Sequence, residues 1–324
     1  MLTATRSGPH HLDHAAAELD GQITRTPLLH SAAIDHIAGA RILIKAENQQ
    51  LGGSYKSRGA LLAVGRLVAA GGCTGVVAQS TGNHGTAIAL AARRHGLPAT
   101  VVLPSDAVPV KVARIRRAGG QIIFAGTSWQ QRTAVADEVS KTLGHPLVGA
   151  TADVVAGQGT ASRELLRQAA EQGEMPQALV LAVGGGSSIA GACLATAGTG
   201  VDVIGVEPVG CDSLARSIAA GRRILVAPGP TIADGLRPAC VGELPFQIAQ
   251  GSVAEVVRVD DHAIVRALRL VLTHLGQVVE PSAAAGLAGA LVIAASGRYR
   301  RIGVVLTGGN IPPSLLARIT TAPA

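Results

Sequence analysis

Short apolar runs alternate along this chain with longer stretches of helical period. Residues 42–45, 76–78, 100–103, 121–124, 179–183, 203–206 and 302–306 are brief and rich in Val, Ile, Leu and Ala. They predict buried strands. Residues 57–68, 85–95, 110–118, 129–143, 160–172 and 262–275 space their apolar positions three or four apart and predict helices. Strands alternating with helices imply an α/β fold whose parallel sheets are covered on both faces. Residues 281–297 are uncharged but mostly Ala, Gly and Ser. The run is too short and too weakly apolar to span a bilayer and predicts a buried helix. No low-complexity linker or clean repeat interrupts the pattern. Gly71-Gly72 and residues 144–151 are the best domain boundaries.

The 324 residues are 48% apolar and only 2% aromatic, so a large core is available but cofactor stacking on aromatic rings is sparse. The net charge is +7 and the pI about 9.8. The densest basic run, Arg114-Ile115-Arg116-Arg117, is short and helical, and without stacking aromatics it does not predict nucleic-acid binding. A basic field does suit phosphate or carboxylate. Cys73, Cys193, Cys211 and Cys240 show no metal-ligand spacing and read as buried small hydrophobes with reduced thiols. Residues 1–14 carry histidines and polar residues where a signal peptide needs an apolar segment, so a soluble cytoplasmic protein is expected. His10, His11 and His14 read as part of a mobile N-terminal segment rather than a metal site.

Candidate chemistry starts at Lys56. Only four lysines (Lys45, Lys56, Lys111, Lys141) stand against 24 arginines. Arginine cannot lose its proton, whereas a lysine amine can form an imine. Lys56 follows Gly52-Gly53-Ser54-Tyr55 and opens a predicted helix. A solvated lysine at a helix start is the plain alternative. Three loops then follow predicted strands, where parallel sheets bind ligands. Gly184-Gly185-Gly186-Ser187 can turn several N–H groups toward one phosphate at a helix start. Glu207 follows roughly twenty residues on, as a dinucleotide-binding acid would. Ile189, however, stands where the third glycine of that motif belongs. A tight turn into a packed helix remains the other reading of this loop. Ser80-Thr81-Gly82-Asn83-His84-Gly85 suits a carboxylate, and Thr307 offers a neutral hydroxyl to one ring nitrogen. An imine-forming lysine, a phosphate cradle, a carboxylate cradle and a lone hydroxyl together describe pyridoxal phosphate holding an amino acid.

The chain resembles the fold-type II pyridoxal-phosphate enzymes, the tryptophan synthase β superfamily, and within it the serine/threonine dehydratase and serine racemase group. The matching motifs run from Thr26-Pro27-Leu28 through Lys45-x-Glu47, Leu51 to Ala60, residues 80–85, Val155 to Thr160 and Gly184 to Gly191. They continue through Gly205 to Pro208, Thr231 to Gly235, Glu280-Pro281-Ser282 and Thr307-Gly308-Gly309-Asn310. The resemblance implies two parallel-sheet domains with helices on both faces and the cofactor in the cleft between them. Residues 1–74 and 152–324 would form the large, cofactor-anchoring domain. Residues 75–151 would form a small mobile domain carrying the substrate-carboxylate loop. A homodimer is implied, with a small amino acid as the other partner and no nucleic acid or membrane.

By the same resemblance, Lys56 is the Schiff-base lysine and the acid/base at the substrate Cα. Tyr55 takes the place of a ring-packing Phe. Asn83 bonds the cofactor's phenolic oxygen, and Gly184, Gly185, Gly186 and Ser187 hold its phosphate. Gly235 and Glu280 lie near the cofactor, and Thr307 meets the pyridine nitrogen. Ser80, Thr81, Gly82, Asn83 and His84 take the substrate carboxylate. A β-branched residue at Gly185 is expected to clash with the phosphate or with a backbone that only glycine adopts cheaply. Racemases carry serine where this chain has Thr81, whose extra methyl restricts χ1. Some relatives bind a cation through the acid matching Glu207 and a second acid. Here Ser213 occupies the second position and Asp212 falls one residue short, so no metal is expected. The expected activity is β-elimination of a hydroxy-amino acid, L-threonine or L-serine by default, releasing a 2-oxo acid and ammonia. Racemisation through Thr81 and β-replacement are the alternatives.

Overall fold

The computed structural model describes residues 9–80 and 82–321. In chain order the elements are α1 (Pro9–Glu18), β1 (Leu28–Leu29), α2 (Ala32–Ala38), β2 (Arg41–Lys45), α3 (Lys56–Ala69), β3 (Val76–Gln79), α4 (Asn83–Arg94) and β4 (Ala99–Pro104). There follow α5 (Pro109–Arg117), β5 (Gly120–Ala125), α6 (Trp129–Leu143), α7 (Ala152–Glu171), β6 (Ala178–Ala182), α8 (Ser187–Thr196), β7 (Asp202–Pro208) and α9 (Ser213–Ala220). The chain ends with α10 (Glu243–Ala249), β8 (Val253–Val259), α11 (Asp261–Leu275), α12 (Pro281–Ala294), β9 (Arg301–Val305) and α13 (Pro313–Thr321).

Six strands form one sheet in the order β1-β2-β9-β6-β7-β8, and three form another in the order β3-β4-β5. All pairings are parallel except the two-residue edge strand β1, which runs antiparallel to β2. Both sheets are covered on both faces. On the large sheet, Ile42, Ile44, Val180 and Val304 pack with α11 and α12, while Leu179, Leu181 and Val305 pack with α7 and α8. On the small sheet, Val101 and Leu103 pack on Ile115 of α5, and Val102 on Ala136 of α6. The pleat sends alternate residues of one strand to opposite helices.

The seven runs read from the pattern are strands. Two further strands escaped it. β1 is too short to show a period, and β8, an edge strand, interrupts its half-buried valines with Glu255 and Arg258 and so shows no continuous apolar run. Helix α7 begins at Ala152, capped by Thr151, eight residues before the expected start at residue 160. Gly157 and Gly159 inside it disguise the helix, and packing explains them. A Cβ at Gly157 would lie 2.5 Å from Gly59 Cα of α3, and a Cβ at Gly159 would lie 2.9 Å from Gly191 O of α8. Three helices therefore cross backbone to backbone, which holds Lys56 at the start of α3 and Ser187 at the start of α8 in one frame.

Behind α3 lies a charge network that joins motif residues to Glu164 and Gln168 of α7. Arg58, fully buried, donates to Glu47 at 2.8 and 2.7 Å and to Glu164 at 3.1 Å. Lys45, also fully buried, donates to Glu164 at 2.5 Å, Thr26 O at 2.6 Å and Gln168 at 2.8 Å. Burial works against the Arg58 charge, but Glu47 and Glu164 outweigh it and raise its pKa. The same burial lowers that of Lys45.

Candidate active site

Parallel strands in register end at one edge, and that edge is where the predicted site residues meet. Lys45 pairs with Val305 and Val180 with Val304, so the segments after β2, β6 and β9 leave the sheet together. Leu306 N donates to Lys45 O at 2.9 Å and Tyr55 N to Thr307 O at 3.1 Å. These bonds set Thr307, 6% exposed, beside the turn that presents Lys56. Gly52 and Gly53 have φ of 68° and 74°, so the turn into α3 uses a left-handed backbone that glycine adopts without steric cost. Lys56 Nζ stands 4.8 Å over the Tyr55 ring.

The loop after β6 is packed from both sides. Gly184 lies against Gly235 O, where a Cβ would approach to 2.8 Å. Gly186 has φ of 88°, and a Cβ there would stand 2.7 Å from Val241 Cγ2 and 2.8 Å from Pro245 Cβ. Gly185 departs from the backbone half of that expectation. Its φ is not positive, and a Cβ there meets nothing within 4 Å. The conformational demand falls on Gly186, while Gly185 faces the open cleft. Gly235 N donates to Ser282 Oγ at 3.0 Å, which ties the loop at residues 234–236 to α12.

The 80–85 loop starts α4. Ser80 Oγ accepts from Gly82 N at 2.9 Å and Gly85 N at 2.8 Å, so its oxygen holds the loop's shape. Asn83 Nδ2 donates to Glu280 Oε1 at 2.5 Å, and Asn83 Oδ1 accepts from Asn310 Nδ2 at 2.7 Å. Burial raises the Glu280 pKa, and Lys111 opposes that shift. His84 Nε2 donates to Val148 O at 2.8 Å. Burial, then the Lys56 charge, push His84 down to about 4, so it is neutral at physiological pH. Thr81 lies outside the described residues.

These residues line one cleft of about 360 Å³, which holds Tyr55, Lys56, Asn83, Gly184, Glu280 and Thr307. It also holds residues to which the sequence reading gave no role, among them Lys111, Trp129, Arg132, Asp234 and Ser282. Asp234 and Ser282 stand inside matched motifs, and Lys111 has a signal of its own. The scarcity of lysine that singled out Lys56 applies equally to it. The acid considered for a cation has another task, since Glu207 accepts from Leu214 N at 2.8 Å and Ala215 N at 2.9 Å at the start of α9. Burial pushes its pKa up to about 7. Asp212 is bonded to Arg216 and Arg258, each at 2.8 Å.

Residues 19–308 match the pyridoxal-phosphate dependent enzymes. This chain belongs to that family. It is a fold-type II member of the serine racemase and threonine deaminase group. It is 36% identical over 309 residues to an L-threo-3-hydroxyaspartate ammonia-lyase of Pseudomonas sp, covering 94% of this chain and 96% of that one. It is also 36% identical over 316 residues to a serine racemase of Oryza sativa subsp. indica, covering 95% and 92%. Among solved structures, maize serine racemase superposes with a TM-score of 0.90 at 35% identity, with 97% of each chain covered.

The chain's own residues fit pyridoxal phosphate. Gly185 leaves space where a phosphate would lie, beside the first N–H groups of α8. Lys56 and Thr307 line the same cleft, so an amine and a neutral hydroxyl are both within it. No helix among the described residues is long and apolar enough to cross a membrane.

Proposed function

We propose that the protein catalyses β-elimination from a hydroxy-amino acid, releasing a 2-oxo acid and ammonia. The observation that carries this reading is the meeting of Lys56, the 80–84 loop, the 184–187 loop and Thr307 on a single cleft. Bound there, pyridoxal phosphate supplies an aldehyde for the substrate amine and an electron sink for Cα. The backbone of Gly184, Gly185, Gly186 and Ser187 holds the phosphate, with Gly235 buttressing the loop. Tyr55 would pack on the ring and Asn83 would reach its phenolic oxygen, with the Asn83 amide held by Glu280. Thr307 would meet the pyridine nitrogen with a hydroxyl that leaves it uncharged. Ser80, Thr81, Gly82, Asn83 and His84 receive the substrate carboxylate, and neutral His84 adds no charge of its own. Lys56 Nζ would take the Cα proton, and the β-hydroxyl would depart as water after accepting a proton from the cofactor phosphate or a nearby group; the released unsaturated amine then takes up one water to give the 2-oxo acid and ammonia. Residues 75–151 move as a small domain over the cleft, in a homodimer.

A neutral partner for the ring nitrogen stabilises a Cα carbanion weakly, which favours rapid loss of the β-substituent over racemisation. Threonine and serine are the default substrates. Arg132 adds a preference. It lies in the cleft, bonds only the Thr127 carbonyl and forms no ion pair among the described residues, so it is free to meet a second carboxylate on the substrate. A relative named for hydroxyaspartate fits this preference. Incubation with L-serine, L-threonine and a β-hydroxy dicarboxylic amino acid tests the reading. Ammonia and 2-oxo acid with little D-isomer support elimination. Faster formation of the enantiomer than of ammonia would replace it with the racemase reading.

A further inference from the structure

We infer that Lys111 is a positioning residue, the catch by which the small-sheet side of the cleft docks on the large-sheet side when substrate is held. The inference rests on the reading of residues 80–84 as the carboxylate loop. Lys111 stands in the first turn of α5 and is 4% exposed, although it belongs to the wall of an open cleft. Its ammonium forms an ion pair with Asp234, which opens the short helical turn Asp234–Leu236 on the large-sheet side. The same ammonium lies 3.8 Å from Glu280 Oε2, a buried oxygen with no hydrogen-bond partner among the described residues.

The stem of Lys111 is as informative as its head. It crosses Gly82, where a Cβ would lie 2.5 Å from Lys111 Cδ and 3.2 Å from Cγ. One side chain therefore touches the carboxylate loop with its methylenes and the opposite wall with its charge. A lysine suits this path because its charge is compact and its stem unbranched, whereas arginine's planar fork asks for a different geometry. Glu280 sits at the junction, with Oε1 on Asn83 and Oε2 facing Lys111. Opening the small-sheet side would strand both carboxylates without their cation. Closing it brings the loop, the Asn83 amide and the Lys111 charge into place together.

The chain carries its own reporter. Trp129 is its single tryptophan and lines the same cleft from α6. L-alanine has a carboxylate and an amine but no β-leaving group, so it reports docking without turnover. In the holoenzyme, the L-alanine concentration giving half the Trp129 emission change should rise about tenfold or more in Lys111→Met, because a loop displaced by about 1 Å loses its alignment. The substrate KM should rise in parallel while kcat falls less, and pyridoxal phosphate affinity should stay within about twofold of wild type. Lys111→Arg should recover part of the loss. Asp234→Asn, at a partly exposed residue, should act in the same direction and keeps the test open if Lys111→Met folds poorly. Emission titrations and KM values within about twofold of wild type in both variants would overturn the inference. So would a loss of cofactor affinity as large as the loss for L-alanine. If wild type releases no ammonia yet both variants lose the L-alanine response, the elimination reading falls and the catch stands. If ammonia is released normally and the response is unchanged, the catch falls alone.

Discussion

Two clusters of buried charge lie on opposite ends of the Lys56 segment, and they are built from the same residue types to different ends. Behind α3, Lys45 fills its donors with Glu164, Gln168 and the Thr26 carbonyl, and Arg58 fills its own with Glu47, Glu164 and Thr160. In the cleft, Lys111 is shared between Asp234 and Glu280, and one Glu280 oxygen has no hydrogen bond. The first cluster has its donors and acceptors matched, even where Arg58, Thr160 and Glu164 border a separate cavity. The second is incomplete and opens onto a cavity. Burial of charge alone therefore does not mark a site. Unfilled hydrogen-bonding capacity beside a cavity does, because a ligand or a closing movement can fill it.

The comparison is broken most severely at the residue between the clusters. Lys56→Ala should lose the near-visible absorbance of the bound cofactor and lower kcat on the order of a thousandfold, since both the covalent anchor and the Cα proton carrier vanish. An unchanged spectrum and rate would remove Lys56 from the chemistry.

The closed cluster should answer as structure and the open one as function. Glu47→Gln leaves Arg58 buried with half its charge partners, and should cost about 3 kcal/mol in urea unfolding. Asp234 is 36% exposed at its side chain, and Asp234→Asn should cost less than about 1 kcal/mol while raising KM. A reversed ranking would erase the distinction.

The phosphate loop offers a finer contrast. Gly186→Ala should cost about 1–3 kcal/mol, since its positive φ and its contacts with Val241 and Pro245 leave no room. Gly185→Ala should leave unfolding within about 0.5 kcal/mol of wild type, because its Cβ enters open space. Only cofactor affinity should suffer there. Equal loss of stability at both positions would refute the assignment of the cleft-facing side.

A further contrast concerns pH. His84 is held near 4 in the folded chain and returns to about 6.5 when unfolded. Between these values the unfolded state binds the extra proton, so stability falls as pH drops through that window. Thermal unfolding from pH 7 to pH 4 should show this slope, and His84→Gln should flatten it. An identical slope in the variant would mean that His84 protonates freely when folded.

Local sequence carried much of this protein. The apolar runs announced seven of the strands because strands buried on both faces must be apolar throughout. Loops of small and polar residues at strand ends announced the site because parallel strands deliver their carboxyl ends to one edge. Lysine scarcity pointed to Lys56. What escaped had non-local causes. Helix α7 was shortened on paper because Gly157 and Gly159 weaken a helical pattern, and their use appears only when α3 and α8 cross them. Gly185 and Gly186 look alike in sequence, yet Val241 and Pro245 decide which one must be glycine. Lys111, Asp234 and Glu280 are separated by long stretches of chain, and their shared charge exists only because two sheets face each other. Sequence determined most of the elements, the order of the motifs and the candidate nucleophile, since those depend on local period and residue chemistry. Tertiary structure decided which charges are closed and which wait for a partner, since that depends on what the rest of the chain places within a few ångströms.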